Sequence, residues 1–177
     1  MLSGRTLRQD EVRGVWAIDR REVVEAVYYL ENGALVLKPE HHEIQGWSRD
    51  RAEKYAAILE VCYDRGGWFY GLFDGERLIG VVALDSRFIG RNRDQLQLKF
   101  LHLCRDYRDQ GLGRRLFELA RDEARSRGAR QLYISATPSE HTIRFYLDLG
   151  CRVTAEPVAE LFAMEPGDLH LECDISS

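Results

Sequence analysis

Long apolar runs are absent from this 177-residue sequence. No window approaches the roughly 20 apolar residues that a membrane-spanning helix needs, so we expect no membrane interaction. Residues 1–10 are polar and contain no apolar segment of the kind that a signal peptide carries. The sequence therefore indicates a cytoplasmic protein.

Cysteine and proline are scarce, with four of each. The cysteines have no Cys-x-x-Cys or other metal-ligand spacing, so we expect free core thiols and no metal site. His41-His42-Glu43 could suggest a metal, but adjacent residues rarely ligate one ion. No repeat, low-complexity stretch or Pro/Ser-rich linker divides the chain, so we expect a single domain over residues 1–177.

An excess of positive charge is also missing. The net charge is −4 and the isoelectric point is near 5.8, which argues against nucleic acid as a partner. Hydrophobic residues make up 45% of the chain and charged residues 31%, a balance typical of globular domains. Nothing in this composition separates a monomer from a homodimer.

Local patterns predict a mixed α/β fold with β-α-β connectivity over 95–136. Asp74-Gly75 between two apolar runs predicts a hairpin, and Thr137-Pro138 predicts a capped helix start. The predicted helices cover 11–33 in part, 48–67, 112–128 and 137–150. The predicted strands cover 34–38, both halves of 68–84, 95–103, 130–136, 151–155, 159–164 and 169–175.

The stretch 108–115, RDQGLGRR, lies between a predicted strand and a predicted helix. A helix start offers unpaired N–H groups and the positive end of the helix dipole, and glycines let an anion approach them. Four arginines and two aspartates over 105–115 add a local charge of +2. These features predict a phosphate or pyrophosphate site, although a tight strand-to-helix turn with packing glycines would give the same pattern.

Two common phosphate motifs do not fit this stretch. A P-loop needs Lys-Ser or Lys-Thr after its last glycine, and neither follows Gly111 or Gly113. A dinucleotide-binding fingerprint needs a third glycine, where this sequence has Leu116.

The segment 107–116, YRDQGLGRRL, resembles motif A of the GNAT acetyltransferase superfamily, (Gln/Arg)-x-x-Gly-x-(Gly/Ala). Arg108, Gly111 and Gly113 fill its three defined positions. A proline is common in the family at the position of Arg105, so the sequence departs from the pattern there.

The segment 142–153, TIRFYLDLGCRV, is similar to motif B of the same family through Phe145, Tyr146 and Gly150. Thr142 and Cys151 replace the usual alanine and phenylalanine. Two motifs in the right order and spacing are more specific than either alone. The resemblance is good over about 68–155 and implies a three-layer α/β fold, whose central, mostly antiparallel sheet contains one splayed parallel strand pair flanked by helices.

The resemblance implies that acetyl-CoA binds as co-substrate, with its pyrophosphate on the backbone around 110–115. The pantetheine arm would pair with backbone near Leu101 and Leu103, where an N–H would polarise the thioester carbonyl. Ser139 occupies a position where many members have an asparagine that contacts pantetheine. The implied cofactor-binding residues in the glycine loop are Arg108, Asp109, Gln110, Gly111, Leu112, Gly113, Arg114 and Arg115.

Acetyl transfer to an amine needs a neutral amine, a stabilised oxyanion and a proton for the departing thiolate. Tyr146 is the candidate acid, since a phenol near the sulfur can donate as charge builds, although a core tyrosine would give the same helical spacing. The candidate bases are His102, Asp85 or a chain of water molecules. His102 should face away from Leu101 and Leu103 unless a bulge resets the alternation.

The predicted function is N-acetylation of a primary amine on a small molecule or peptide. The alternatives are an acyl-CoA-binding module without turnover and a regulator that binds another phosphate ligand. In this family the acceptor is set largely by the terminal regions, here 11–67 and 155–175, and neither carries a motif that names a substrate. Trp16, Trp47 and Trp68 fit a core or the wall of an acceptor pocket.

Overall fold

The computed structural model describes residues 1–177, which form nine strands and four α-helices. The strands are β1 (Leu2–Thr6), β2 (Glu22–Glu31), β3 (Ala34–Ile44), β4 (Trp68–Asp74), β5 (Arg77–Ile89), β6 (Gln95–Leu103), β7 (Gln131–Ala136), β8 (Arg152–Val153) and β9 (Leu169–Asp174). The helices are α1 (Arg49–Asp64), α2 (Leu112–Ser126), α3 (Glu140–Asp148) and α4 (Ala159–Met164). A 3₁₀ segment spans Gln9–Ala17.

Seven strands form one mixed sheet in the order β1-β4-β5-β6-β7-β9-β8. Every neighbouring pair is antiparallel except β6 and β7. The apolar face of α2, with Leu116, Phe117, Ala120 and Ala124 buried, belongs to the core that the sheet shares. This mixed sheet flanked by helices confirms the predicted fold class.

The parallel pair opens after three residues. β6 and β7 are in register only from Gln95 to Gln97, and no pairing continues toward Leu103. On its other side β6 carries a bulge, since Ala83 pairs with Phe100 while Leu84 pairs with Leu98, which leaves Lys99 as the extra residue. The predicted splay is therefore present, and it leaves one edge of β6 uncovered.

The helix predicted within 11–33 is wrong for its second half, which is strand β2. Asn32 (φ 50°) and Gly33 (φ 80°) form a two-residue turn that joins β2 to β3 as a separate hairpin. A bulge between Val24 and Ala26 places Val24 and Val27 among the buried residues three positions apart. That spacing is typical of a helix, which explains the error.

Three smaller predictions also need correction. Strand β1 was not predicted, because this exposed edge strand shows no alternation of apolar and polar residues. The segment 159–164 is helix α4 rather than a strand, as suits its strong helix formers. The cap of α3 is Ser139 rather than Thr137, since the Ser139 Oγ accepts a hydrogen bond from the Thr142 N–H at 3.4 Å. Pro138 precedes this cap, and its carbonyl accepts from the Tyr28 N–H at 2.8 Å.

Several local signals are confirmed by the structure. Ser48 caps α1 by accepting from the Arg51 N–H at 3.3 Å. Asp74 and Gly75 lie at the β4–β5 turn, and β6 has the predicted bounds. All four cysteines are free and buried: Cys62, Cys104, Cys151 and Cys173.

Candidate active site

A cleft of about 500 Å³ lies where β6 and β7 separate, between the starts of α2 and α3; we call it the main cleft. Its walls include eight of the residues that the sequence assigned to the site: Leu101, Leu103, Arg108, Asp109, Gly111, Gly113, Arg114 and Tyr146. The splay of the sheet therefore brings together residues from β6, from the glycine loop and from α3.

The start of α2 points unpaired backbone donors toward the main cleft. Gly111 is the N-cap in a left-handed conformation (φ 79°), and Asp109 before it also has positive φ (59°). The first helical bond runs from the Arg115 N–H to the Gly111 carbonyl at 3.1 Å. The N–H groups from 112 to 114 therefore have no acceptor in the protein, and the helix dipole makes this end positive. An anion such as a pyrophosphate fits this end of the cleft.

The two glycines of the loop serve different needs. At Gly111 nothing lies within 4 Å of a built Cβ, so the positive φ is the reason for glycine. At Gly113 the φ is ordinary, but a Cβ would lie 3.3 Å from the Phe145 ring. The missing side chain at Gly113 thus lets α2 pack closely against α3, and it also leaves the backbone at this position accessible from the cleft.

Arg108 fixes the end of β6. Its Nε donates to the Leu103 carbonyl at 3.2 Å, and a terminal nitrogen donates to the Arg21 carbonyl at 3.3 Å. Arg108 therefore ties the glycine loop to β6 and to the segment before β2, and it also lines the cleft.

The uncovered edge of β6 offers further donors. The Cys104 N–H bonds to the Ile79 carbonyl at 2.7 Å, and the register pairs His102 with Val81. Bonding alternates along an antiparallel pair, so the N–H groups of Leu101 and Leu103 point away from β5 into the gap. An extended ligand or a carbonyl oxygen in the gap can accept from them.

Tyr146 lies on the buried face of α3 and lines the main cleft. Its ring packs edge-on against Phe145 and Phe117, with centroids 5.1 and 6.2 Å away. No group of the protein bonds its hydroxyl. Burial raises the pKa of the Tyr146 phenol well above its usual range, so the phenol stays protonated at neutral pH.

His102 lies in an aromatic cluster that borders the cleft. Its ring centroid is 4.5 Å from that of Phe100 and 5.0 Å from that of Trp47, both edge-on. Burial, and then the positive charges of Arg20 and Arg108, lower the pKa of His102 to about 3. His102 is therefore an uncharged imidazole at neutral pH.

Asp85 is engaged elsewhere. It is buried outside the main cleft and pairs with Lys99 and Arg65, each at 3.0 Å. It also accepts from the Ser86 N–H at 2.7 Å. Burial alone would raise the pKa of Asp85, but Lys99 and the hydrogen bonds hold it below its usual value. The structure thus gives Asp85 the role of anchoring Lys99 rather than that of a free base.

Four sequence-assigned residues do not line the main cleft. Ser139 is buried, and its hydroxyl caps α3 and donates to the Thr142 Oγ1 at 2.9 Å. The Gln110 side chain donates to the Asp106 carbonyl at 3.2 Å. Leu112 packs against the core, and the Arg115 side chain is exposed to solvent.

A second cavity of about 140 Å³, the side cavity, continues from the main cleft. Trp16 and Trp47 are in its wall, which is one of the two places that the sequence analysis gave for them. Tyr55, Glu165 and Asp168 also line the cavity, and the sequence did not predict them as site residues. They come from distant segments without a shared motif, so no sequence signal joined them. No group of three or more His, Cys, Asp or Glu residues is placed to hold a metal ion, and no helix is long and apolar enough to cross a membrane.

Known proteins of similar fold share this architecture. A nourseothricin acetyltransferase is 18% identical, with a TM-score of 0.73 and 98% of each chain covered. A putative streptothricin acetyltransferase from Bacillus anthracis str. Ames, solved with acetyl coenzyme A, is 15% identical, with a TM-score of 0.72 and 98% of each chain covered. The PaiA N-acetyltransferase from Thermoplasma acidophilum, solved with coenzyme A, is 17% identical, with a TM-score of 0.63, and the alignment covers 98% of this chain and 99% of that one.

These identities establish the fold alone, and no curated protein sequence matches the chain. The family model for the acetyltransferase (GNAT) family, however, matches residues 25–151, which is well over half of the sequence and includes motif A and the matching positions Phe145, Tyr146 and Gly150 of motif B. The chain therefore belongs to the GNAT acetyltransferase family.

Proposed function

We propose that this protein is an N-acetyltransferase that moves the acetyl group of acetyl-CoA to a primary amine by direct attack on the thioester. The observation that carries the proposal is the unpaired, protonated hydroxyl of Tyr146, which faces the same cleft as the unpaired donors of α2 and β6. Anion-binding, carbonyl-polarising and proton-donating groups are thus present in one cavity.

The pyrophosphate, the pantetheine arm and the thioester of acetyl-CoA each have a matching group in the main cleft. The N–H groups from 112 to 114 and the Arg114 side chain suit the pyrophosphate. The pantetheine arm extends along the uncovered edge of β6, where it takes the place of the missing strand partner for the amides of Leu101 and Leu103. This arrangement leads the thioester toward Tyr146.

The chemistry then follows from the charges that develop. The amine nitrogen attacks the carbonyl carbon, and a backbone N–H near Leu103 stabilises the oxyanion. As the C–N bond is completed and the C–S bond breaks, Tyr146 gives its proton to the thiolate. The proton lost by the amine leaves through water at the cleft or through His102, whose lowered pKa makes it a weak base.

The experiment is a panel of primary amines assayed for CoA release, with wild type and Tyr146→Phe compared at saturating acetyl-CoA. Removal of the phenol proton should lower kcat about 100-fold with little change in acetyl-CoA affinity. Tyr107→Phe is the matched control, since Tyr107 bonds Asp74 at 2.8 Å outside the cleft. Full activity of Tyr146→Phe across the pH range would contradict the acid role.

Calorimetry separates the proposed enzyme from other phosphate-binding proteins. Acetyl-CoA should bind more tightly than ATP, because the β6 edge has amides for the pantetheine arm and ATP has nothing to place there. Tighter binding of ATP would overturn the assignment of the cleft. Acetyl-CoA binding without CoA release for any amine would instead indicate a non-catalytic acyl-CoA-binding module.

A further inference from the structure

The side cavity opens into the main cleft through a set of shared residues that we call the junction: Arg20, Lys99, Phe100, His102, Ser135 and Thr137. If the main cleft holds acetyl-CoA, as proposed above, the acceptor amine has to meet the thioester here. The rest of the acceptor then lies in the side cavity, so the side chains that line only that cavity select its chemistry.

The junction is a poor place for a positive charge. Arg20 has no ion-pair partner, and its guanidinium lies 4.2 Å from the centre of the Trp47 ring. Lys99 is paired with buried Asp85, which also binds Arg65, so the cluster keeps a positive balance. His102 beside them is uncharged. A neighbouring positive charge disfavours an ammonium, so the junction favours the neutral amine that can attack.

The side chains that line only the side cavity include two acids, Glu165 and Asp168. Neither carboxylate has an ion-pair or hydrogen-bond partner in the protein. Burial, and then the charge of Glu165, raise the pKa of Asp168 to about 6, with Arg51 acting in the opposite direction. Arg51 is exposed and lies over the Tyr55 ring, 5.5 Å from its centre, rather than against either carboxylate.

The remaining walls of the side cavity are largely apolar and aromatic. Trp16, Ile58 and Leu161 also line the side cavity. Such walls suit a short chain of methylene groups and offer ring faces to a cation. The ionisable groups that line the cavity from all packed elements are Arg20, Arg51, Tyr55, Lys99, His102, Glu165 and Asp168.

We propose that the acceptor is an aliphatic diamine, with its reacting amine neutral at the junction and its second amine protonated between Glu165 and Asp168. The positive charges at the junction and the two carboxylates that line only the side cavity orient the molecule. Charge-assisted hydrogen bonds to the carboxylates hold the second ammonium without competing for the reacting nitrogen. A monoamine lacks this anchor, and an ω-amino acid places a carboxylate against the two acids.

The test compares CoA release with 1,4-diaminobutane, n-butylamine and 4-aminobutyrate. The diamine should exceed n-butylamine in kcat/KM by about tenfold or more, as one charged hydrogen bond to a carboxylate provides, and 4-aminobutyrate should be the poorest. Asp168→Asn and Glu165→Gln should each bring the ratio of kcat/KM for the diamine to that for n-butylamine down toward one. Glu160→Gln is the matched control, because it removes an exposed charge from α4 outside the cavity.

Calorimetry keeps this inference separate from the proposed reaction. If no amine is turned over, the proposed function fails, but 1,4-diaminobutane should still bind the CoA-loaded protein about tenfold more tightly than n-butylamine. That preference should disappear in Asp168→Asn, with the melting temperature of each variant measured to confirm folding. Equal kcat/KM and equal binding for diamine and monoamine, or an unchanged ratio in Asp168→Asn, would overturn the diamine assignment.

Discussion

Replacement of Gly113 by glutamate tests the glycine loop directly. The backbone at Gly113 has an ordinary φ, so a side chain is permitted there. The new Cβ would lie 3.3 Å from one edge atom of the Phe145 ring and 3.5 Å from the next. This ring is only partly buried and can shift by a few tenths of an ångström. We expect a stability loss of about 1 kcal/mol, the lower end of the range for overpacking.

The effect of Gly113→Glu on binding should be far larger. A carboxylate at this position lies beside the N–H groups that are proposed to hold the pyrophosphate. Two unit charges about 4 Å apart repel by about 4 kcal/mol near a protein surface, which corresponds to about a 1000-fold loss of affinity. The carboxylate would also accept the free N–H groups itself, so the protein should remain folded while acetyl-CoA binding disappears.

The assay for Gly113→Glu pairs acetyl-CoA calorimetry with thermal unfolding. Gly14→Glu is the matched control, because nothing lies within 4 Å of a Cβ at Gly14, which is exposed and outside the cleft. Gly14→Glu should bind acetyl-CoA like wild type. Retained affinity in Gly113→Glu would refute the placement of the pyrophosphate at α2, and an unfolded variant would refute the packing argument.

Two further predictions concern stability. Asp85→Asn should destabilise the protein by about 3–5 kcal/mol in urea unfolding, because it leaves the nearly buried Lys99 ammonium without its partner. Because the pKa of Asp85 is lower in the folded protein than in the unfolded chain, where it is about 4, Asp85 contributes fully to the free energy of unfolding above pH 4. This contribution is lost as the pH falls through the pKa of Asp85 in the folded protein. A wild-type free energy of unfolding that stays constant down to pH 2 would contradict this. Gly111→Ala should lower the free energy of unfolding by about 1–2 kcal/mol, because alanine is strained at the positive φ of this position. Gly14→Ala is the control, since Gly14 has no positive φ and the substitution should cause no such strain. Equal melting temperatures for the two variants would contradict the strain argument.

The centre of the fold is predictable because its signals are local. Strand β6, the glycine loop and α2 follow one another within about 30 residues, and each has its own pattern of alternation, turn or stripe. Asp74-Gly75 likewise fixes a turn without help from distant residues. The family resemblance rests on this same part of the chain, and eight of the residues that the sequence assigned to the site line the main cleft.

The errors arise where tertiary structure overrides a local pattern. The bulge in β2 gives Val24 and Val27 a helical spacing within a strand, and only the pairing with β3 reveals it. Edge strand β1 is recognisable only from its pairing with β4, because its own residues show no strand pattern. The side cavity joins Trp16, Tyr55 and Asp168 from three separate segments, so its composition follows from the folded chain alone.

Two side-chain contacts that take no part in the proposed reaction lie at the open gap between β6 and β7. Pairing along the whole length of the two strands would use the amides of Leu101 and Leu103 and close the cleft. The bulge at Lys99, which is paired with Asp85, interrupts the regular pairing of β6 with β5 close to the point where β6 and β7 separate. The hydrogen bond from Arg108 to the Leu103 carbonyl satisfies an acceptor that the absence of β7 pairing leaves free. The two Leu amides keep no such partner. The fold thus satisfies the Leu103 carbonyl and leaves the two amides exposed to the gap.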